Sequence, residues 1–156
     1  MRENIGLYRA KSVDNGEWVE GYYTKTKYDR HFIIEKDCYC AGYNNDTLYG
    51  VVEVEPETVG QDTGLTDKNG KKIWENDIVA DICNKIVYRK GIVVWNEIFD
   101  IGKNGYEYSN CITGFMVEEE CLYEYLISKK LEVIGNKFDN PELLGWKNEC
   151  RNYKSN

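Results

Sequence analysis

The beginning of the chain alternates short hydrophobic segments with turn-forming residues. Residues 7–10 and 18–23 contain aliphatic and aromatic side chains, and they flank the sequence Asp14-Asn15-Gly16. Glycine in such a turn accepts a left-handed backbone without a Cβ clash. The pattern therefore predicts an antiparallel β-hairpin.

A second pair of segments extends this pattern into an antiparallel meander. Residues 31–34 and 47–52 are mostly apolar, and the turn-forming cluster at 44–46 separates them. Residues 53–59 are predicted to form an exit strand and connector. Pro56 would remove a hydrogen-bond donor there, which is typical of an edge strand or a linker.

The middle of the chain shows short apolar runs separated by glycine and polar turn residues. The sequence Lys68-Asn69-Gly70-Lys71 indicates a two-residue hairpin, because Asn-Gly fits the paired positive φ angles of a type I′ turn. Lys90-Gly91 is either a bend in one long strand or a turn between two. The other predicted strands are residues 77–82, 86–88, 92–95 and 112–117. Short strands punctuated by glycine predict a small barrel.

Residues 118–130 carry the one strong helical pattern. Three glutamates open this segment and two lysines close it, in the sense that the helix dipole favours. Its apolar side chains fall on one side at helical spacing. A final strand is predicted at residues 131–136, and Pro141 begins a short helical piece before a frayed polar tail.

Composition supports a mainly β chain. The 156 residues include thirteen tyrosines and four tryptophans but two methionines. Aromatic side chains suit a pleated, half-buried surface, whereas methionine favours helices. With 42% hydrophobic and 30% charged residues, the chain has enough apolar material for one full domain or two small ones.

The net charge of −7 argues against a nucleic-acid partner. A protein that holds DNA or RNA by its phosphates needs a face rich in lysine and arginine, and overall acidity opposes attraction to nucleic acid and to anionic lipid. No window approaches the roughly 18 apolar residues of a membrane span. The amino terminus also lacks a signal-peptide pattern. We therefore expect no membrane partner and a reducing compartment.

The cysteines do not have the spacing of a metal site. Structural disulfides are rare in a reducing compartment, and zinc sites usually contain C-x₂₋₄-C pairs. The one close pair is Cys38 and Cys40, which would share a face on a strand. We expect free thiols, no metal and no cofactor. The six cysteines are Cys38, Cys40, Cys83, Cys111, Cys121 and Cys150.

The most patterned stretch of the chain is TGLTDKNGKKIWENDIV at residues 63–79. Together with LEVIGN at 131–136 and DNPELL at 139–144, it resembles the YopX family of bacteriophage and prophage proteins. The opening LYRAKSVDNGEWVEGYY at 7–23 is similar to the amino-terminal hairpin of that family. One departure is Asn76, where the family commonly has glycine. Asparagine also tolerates a left-handed backbone, so we expect the turn geometry to be kept.

The resemblance implies a mainly β fold with a small N-terminal antiparallel β region followed by a C-terminal SH3-like barrel. The barrel is expected to include one short helix. The predicted parts are an N-terminal meander at residues 1–60, the barrel at 61–136, and a helical turn with a frayed tail at 137–156. The resemblance also implies expression from phage or prophage DNA and a place in the cytoplasm of the bacterial host. It brings no enzymatic activity.

Four aromatic residues are candidates for an interaction surface: Trp18, Tyr22, Tyr23 and Trp74. Exposed aromatic side chains on a small barrel bury a large area with little loss of entropy, so they suit a binding groove or a subunit interface. The alternative is core or cross-strand packing. For Trp74 and Trp95, the packing alternative is favoured.

The polar positions of the patterned stretch suit backbone capping in tight turns. Asp67 and Asp77 could instead be paired carboxylates beside a cation, although no third carboxylate follows at regular spacing. His31 is the one histidine, and a surface position at a strand edge is favoured over a catalytic role. The residues assigned to a structural motif are Thr63, Gly64, Asn69, Gly70 and Asp77.

Three functions from different classes follow. The preferred one is a non-enzymatic accessory protein that forms a homo-oligomer and binds a host or phage protein. The second is a nucleic-acid-binding SH3-like module, against which the acidity stands. The third is a cation-dependent enzyme that uses Asp67, Asp77 or His31.

Overall fold

The computed structural model describes residues 6–41, 47–83, 86–101, 107–117, 120–121 and 131–145. These residues are mainly β-strand, and their strands pair antiparallel. The chain divides into two compact units, Met1–Gly64 and Leu65–Asn156. The prediction of a mainly β protein is therefore confirmed.

The first unit is an antiparallel sheet in the order β4-β3-β2-β1-β5. The predicted hairpin is confirmed, with Leu7 opposite Tyr22 and Lys11 opposite Trp18, and Gly16 has the expected positive φ. The second predicted pair is also confirmed, but its first strand runs on to Ala41. The strands are β1 (Leu7–Lys11), β2 (Trp18–Lys25), β3 (His31–Ala41), β4 (Thr47–Glu53) and β5 (Gly60–Thr66).

Backbone contacts join the two ends of this meander around a small core. Ser12, after β1, bridges Val54, after β4. The predicted exit strand over residues 53–59 is wrong in part, because Pro56–Thr58 forms a 3₁₀ helix. The Thr58 hydroxyl accepts a hydrogen bond from the Lys11 N–H at 2.9 Å, which favours this turn over a strand. The buried core residues are Ala10, Ile33 and Val54.

A wide irregularity divides the β3–β4 pair. Ile34 lies opposite Val51, but the next paired residues are Tyr39 and Tyr49, so residues 35–38 stand against Gly50 alone. Gly50 has a φ of 75°, and a Cβ there would lie 2.9 Å from the Cα of Cys38. Only glycine fits such a position without strain.

Beyond this irregularity, β3 and β4 form a two-stranded ribbon. β2 pairs with β3 from His31 to Ile34, and its register ends there. We call residues 39–41 and 47–49, which pair with each other, the ribbon.

The second unit contains an antiparallel sheet in the order β10-β9-β8-β7-β11. The predicted strands are confirmed, and Lys90-Gly91 lies within one long strand rather than in a turn. Pro141–Gly145 forms the predicted short helical piece, as a 3₁₀ helix. The strands are β6 (Lys72–Trp74), β7 (Asp77–Cys83), β8 (Ile86–Ile101), β9 (Glu107–Val117), β10 (Glu120–Cys121) and β11 (Leu131–Asn136).

The predicted helix over residues 118–130 is wrong where the structure describes it. Glu120 and Cys121 form β10, paired with Val117 and Met116. Cross-strand pairing overrides the local helical pattern at these positions. The rest of that segment, and the predicted tail after residue 145, lie outside the described residues.

The turn between β5 and β6 differs from the predicted type. Gly70 has a φ of 81°, whereas Asn69 keeps a negative φ, so the turn is not type I′. The Gly70 N–H bonds the Asp67 carbonyl at 3.0 Å, and the Asp67 N–H bonds the Lys71 carbonyl at 2.8 Å. This is a type I turn followed by a glycine bulge. It arises because one Asp67 carboxylate oxygen accepts the Asn69 and Lys71 N–H groups, at 2.8 and 2.9 Å.

The same carboxylate connects this turn to β11. The second oxygen of Asp67 accepts the Val133 N–H at 3.1 Å, and the Lys68 N–H bonds the Leu131 carbonyl at 3.0 Å. The turn thus covers the outer edge of β11. Buried apolar side chains form the core of this unit: Ile73, Val79, Val93, Val117, Leu131 and Val133.

A second tight turn precedes β7. Asn76 is buried at a φ of 71°, its N–H bonds the Val93 carbonyl at 2.8 Å, and its carbonyl accepts the Lys137 N–H at 3.0 Å. The buried Asp77 carboxylate accepts the Trp74 N–H at 2.9 Å. The expectation that asparagine keeps a left-handed turn here is confirmed.

Burial and hydrogen bonding act in opposite directions on the pKa of Asp67. Burial is the largest single effect and raises this pKa, but hydrogen bonds from the Val133, Lys71 and Asn69 N–H groups together lower it below its ordinary value. Such a carboxylate stabilises the fold above its unfolded pKa of about 4 and loses that contribution as the pH falls through the folded pKa.

We expect Asp67→Asn to lower the free energy of unfolding by about 2–3 kcal/mol near neutral pH, because the amide loses the charge that three backbone donors share. Urea titrations of both proteins from pH 7 to about pH 3 test this, since the difference should shrink where the wild-type carboxyl becomes protonated. Asp14→Asn, in an exposed turn, is the control and should change stability by less than about 0.5 kcal/mol. A difference that does not depend on pH would contradict the assignment.

Substitutions at Asn76 should follow the cost of a left-handed backbone. Asn76→Val is expected to destabilise by about 1–2 kcal/mol more than Asn76→Gly, because a branched side chain is strained at this φ and glycine is not. Thermal unfolding of the two variants provides the comparison. Equal losses would show that the side chain of Asn76, rather than its φ, is what matters.

Candidate functional site

The predicted aromatic surface residues on β2 lie on opposite faces of the strand. Trp18 and Tyr22 lie on one face of β2. Tyr23 lies on the other face and packs against the core of the first unit. Trp18 is half-buried, with the Arg9 guanidinium 4.7 Å and the Lys11 ammonium 5.6 Å from its ring centroid. Tyr22 is exposed. Tyr23 therefore contributes to packing rather than to the outer face.

The two tryptophans of the second unit differ in exposure. Trp74 is 3% exposed, so the packing interpretation is confirmed for it. Trp95, on β8, is 52% exposed, and the packing interpretation is wrong there. At Trp95, β8 has passed the end of its pairing with β7 and pairs with β9 alone, so no third strand covers it among the described residues.

His31 is held by groups on both sides of its ring. The Tyr23 hydroxyl lies 2.5 Å from Nδ1, and the Asp29 carboxylate lies 3.6 Å from Nε2. The imidazole is 13% exposed, so His31 is half-buried at the start of β3 rather than a free surface residue. Cross-strand pairing of β2 with β3 produces this contact.

The turn between β2 and β3 carries two exposed ion pairs. Lys25 pairs with Asp29, and this hydrogen bond, followed by the charge of Lys25, lowers the pKa of the carboxyl. Arg30 contacts both carboxylate oxygens of Glu53, at 2.8 and 2.5 Å. Asp29 has a φ of 63°, which aspartate tolerates in a turn. Exposed pairs of this kind contribute little to stability, so they orient the turn rather than hold the unit together.

The residues of the structural motif occupy turns and strands around the β5–β6 hairpin. Thr63 and Gly64 lie in β5, where the Gly64 N–H bonds the Asp62 carboxylate at 2.8 Å. Asn69 lies in the type I turn, Gly70 is the bulge that follows it, and Asp77 begins β7. The carboxylates of Asp67 and Asp77 both accept backbone N–H groups. Their observed contacts are those of turn-forming residues.

The described part of the chain contains no group of three histidine, cysteine, aspartate or glutamate side chains arranged to hold a metal ion. Cys38 and Cys40 are free and exposed on β3. The side chains of the other four cysteines lie outside the described ones. In the same part of the chain, no helix has the length and hydropathy needed to cross a membrane.

The ribbon exposes large apolar side chains on both of its faces. Tyr39 and Tyr49 lie opposite each other, 58% and 47% exposed, with their rings stacked 5.0 Å apart. Leu48, the neighbour of Tyr49, faces the other side and is 55% exposed. Exposed apolar patches of this kind mark interaction sites. The ribbon is therefore the candidate functional site.

Sequence reasoning missed these three residues. The segment at 47–52 was predicted as a strand, but its partner was expected to end at residue 34, before Tyr39. A usable signal was present, because Thr47 to Val52 contains no charged side chain. A strand that packs on one face usually alternates apolar with polar residues, and this one does not.

Comparison with known proteins places the chain in a family. No curated protein matches it. Among solved structures, protein EF1440 from Enterococcus faecalis is similar at 25% sequence identity and a TM-score of 0.47, over 91% of this chain and 99% of that one. A family model described as YopX protein matches residues 7–145. Because this match spans most of the sequence, the chain belongs to the YopX family.

Proposed function

We propose that this protein is a non-enzymatic accessory protein that acts by binding protein, and that a second copy of the same chain is its first partner. The observation that carries the proposal is the ribbon, which exposes Tyr39, Leu48 and Tyr49 on two opposite faces. Tyrosine is enriched in protein interfaces because it buries a large area at a small cost in side-chain entropy.

The instability of an isolated ribbon supports this proposal. Two antiparallel strands alone are marginally stable in water, and independent stability needs a third strand or a packed apolar face. Within the described residues, the ribbon receives neither from its own chain. Binding to protein would supply both, and it would remove the stacked tyrosines from water.

The positions of the ionisable residues support a role without catalysis. Asp67 and Asp77, the carboxylates considered for a cation site, accept hydrogen bonds from backbone N–H groups of their own unit. Carboxylates that accept backbone N–H groups in this way stabilise turns. His31 makes a side-chain contact instead, with its Nδ1 2.5 Å from the Tyr23 hydroxyl.

Family membership supports the proposed origin and location of the protein. The YopX family, which the sequence resembles through its motifs, occurs in bacteriophages and prophages, so we place the protein in the cytoplasm of a bacterial host. We also propose that the curved sheet of the second unit is an SH3-like barrel. Such barrels serve several kinds of binding, and the fold alone does not select the partner. The charge of −7 favours protein over nucleic acid.

Self-association can be tested on the full chain by size-exclusion chromatography with light scattering. We expect a mass of at least twice the 18.2 kDa of one chain at micromolar concentration. Replacing both Leu48 and Tyr49 by serine should weaken association at least tenfold, because it removes apolar area from both faces of the ribbon. Tyr28→Ser is the matched control, since Tyr28 is 75% exposed but lies outside the ribbon.

A monomer at all concentrations up to about 100 µM would contradict self-association, since an interface of the usual size binds more tightly than this. Association that is unchanged in the double variant would place the interface away from the ribbon. Salt-sensitive retention of the protein on DNA would favour the nucleic-acid alternative instead.

A further inference from the structure

We infer that the outer edge of β4 is a strand-addition site for β4 of a second copy, which pairs with it antiparallel across a two-fold axis. The inference rests on the proposed function, and it specifies which strand makes the contact and with which geometry. Its basis is the difference between the two ends of β4.

Among the described residues, one end of β4 is covered by its own chain and the other is not. At the covered end, the Glu53 carbonyl accepts the Val13 N–H at 3.0 Å, and Val54 is bridged to Ser12. From Thr47 to Val52, β4 is the outermost strand of its sheet in the described part of the chain. Alternate residues of an edge strand direct their N–H and C=O groups outward, where another strand can bond them.

Apart from the irregularity at Gly50, the described residues show none of the features that usually prevent strand addition along this edge. Natural edge strands carry lysine or other charged residues, proline, or a covering loop. The sequence Thr-Leu-Tyr-Gly-Val-Val at residues 47–52 has no charge and no proline. By contrast, the edge strand β11 of the second unit is covered by the Lys68 and Asp67 contacts to Leu131 and Val133. Within the described ranges, the chain therefore covers the edge of β11 and leaves the edge of β4 open.

A second copy fits this edge better than a charged segment of another protein. In the described part of each copy the ribbon has two strands, and antiparallel β4–β4 pairing would give each ribbon a third. A strand without charge meets no like-charge repulsion from its own copy. A charged partner would gain no ion pair from residues 47–52.

The two-fold arrangement predicts which residue lies next to Tyr49. We place the two-fold axis at Tyr49, the exposed aromatic residue nearest the centre of the open segment 47–52, so that it lies close to Tyr49 of the second copy. A charge introduced at this position meets the same charge, and a mixture of opposite charges meets its complement.

Charge swapping at this position tests the geometry. We expect Tyr49→Lys and Tyr49→Glu each to weaken association at least tenfold, and an equimolar mixture of the two to restore a dimer in light scattering. Tyr28→Lys and Tyr28→Glu are the controls, and they should associate like the wild type alone or mixed. Because Tyr49 is half exposed, both of its variants should fold, which circular dichroism can verify.

Hydrogen exchange of the wild-type protein provides a second test that needs no substitution. The outward-facing amides among residues 47–52 should exchange at least tenfold more slowly at a concentration where the protein is associated than at one where it is dissociated. Amides of β1 and β2, which are paired within one chain, should show no such dependence.

The outcomes separate this inference from the proposed function. Association without protection of residues 47–52, or without rescue in the charge-swapped mixture, would overturn β4 pairing and leave a different interface in place. A strictly monomeric wild type would overturn both. Rescue together with concentration-dependent protection would support β4 pairing.

Discussion

The carboxylate of Asp67 organises the second unit. Its two oxygens receive three backbone N–H groups, two from its own turn and one from Val133 on β11. Because β11 pairs with β7, one side chain links the β5–β6 hairpin to the sheet. A buried carboxylate is costly unless it is hydrogen-bonded, so the turn and the position of β11 depend on each other. The conformations of Asn69 and Gly70 follow from this contact.

The two units differ in how far their edge strands are covered by other described residues. In the second unit the Asp67 turn covers β11 through hydrogen bonds to the Leu131 carbonyl and the Val133 N–H. In the first unit the closure between Ser12 and Val54 stops short of the ribbon, because residues 35–38 depart from the register opposite Gly50. The same meander therefore has a core built around Ile33 and a ribbon without one. The candidate site results from where the sheet ends.

Local signals in the sequence predicted most strands but not their tertiary surroundings. Asp14-Asn15-Gly16 located the first hairpin, since glycine at a positive φ is a short-range requirement. The type I′ turn was wrong because Asp67, outside the two-residue pattern, takes the backbone donors. The strand at Glu120 and the exposure of Trp95 depend on which strands pair, which no local pattern contains. The ribbon was missed for the same reason, since the extent of β3 depends on β4.

The irregularity at residues 35–38, opposite Gly50, also affects how the sequence of such a protein can evolve. Four residues facing one give the chain spare length between two correctly paired segments. We expect an insertion or deletion there to shift neither Ile33 in the core nor the pairing of Tyr39 with Tyr49. The ribbon can therefore be lengthened, redirected or given new side chains while the core stays constant. In a lineage under pressure to meet changing partners, this junction allows recognition to diversify separately from folding.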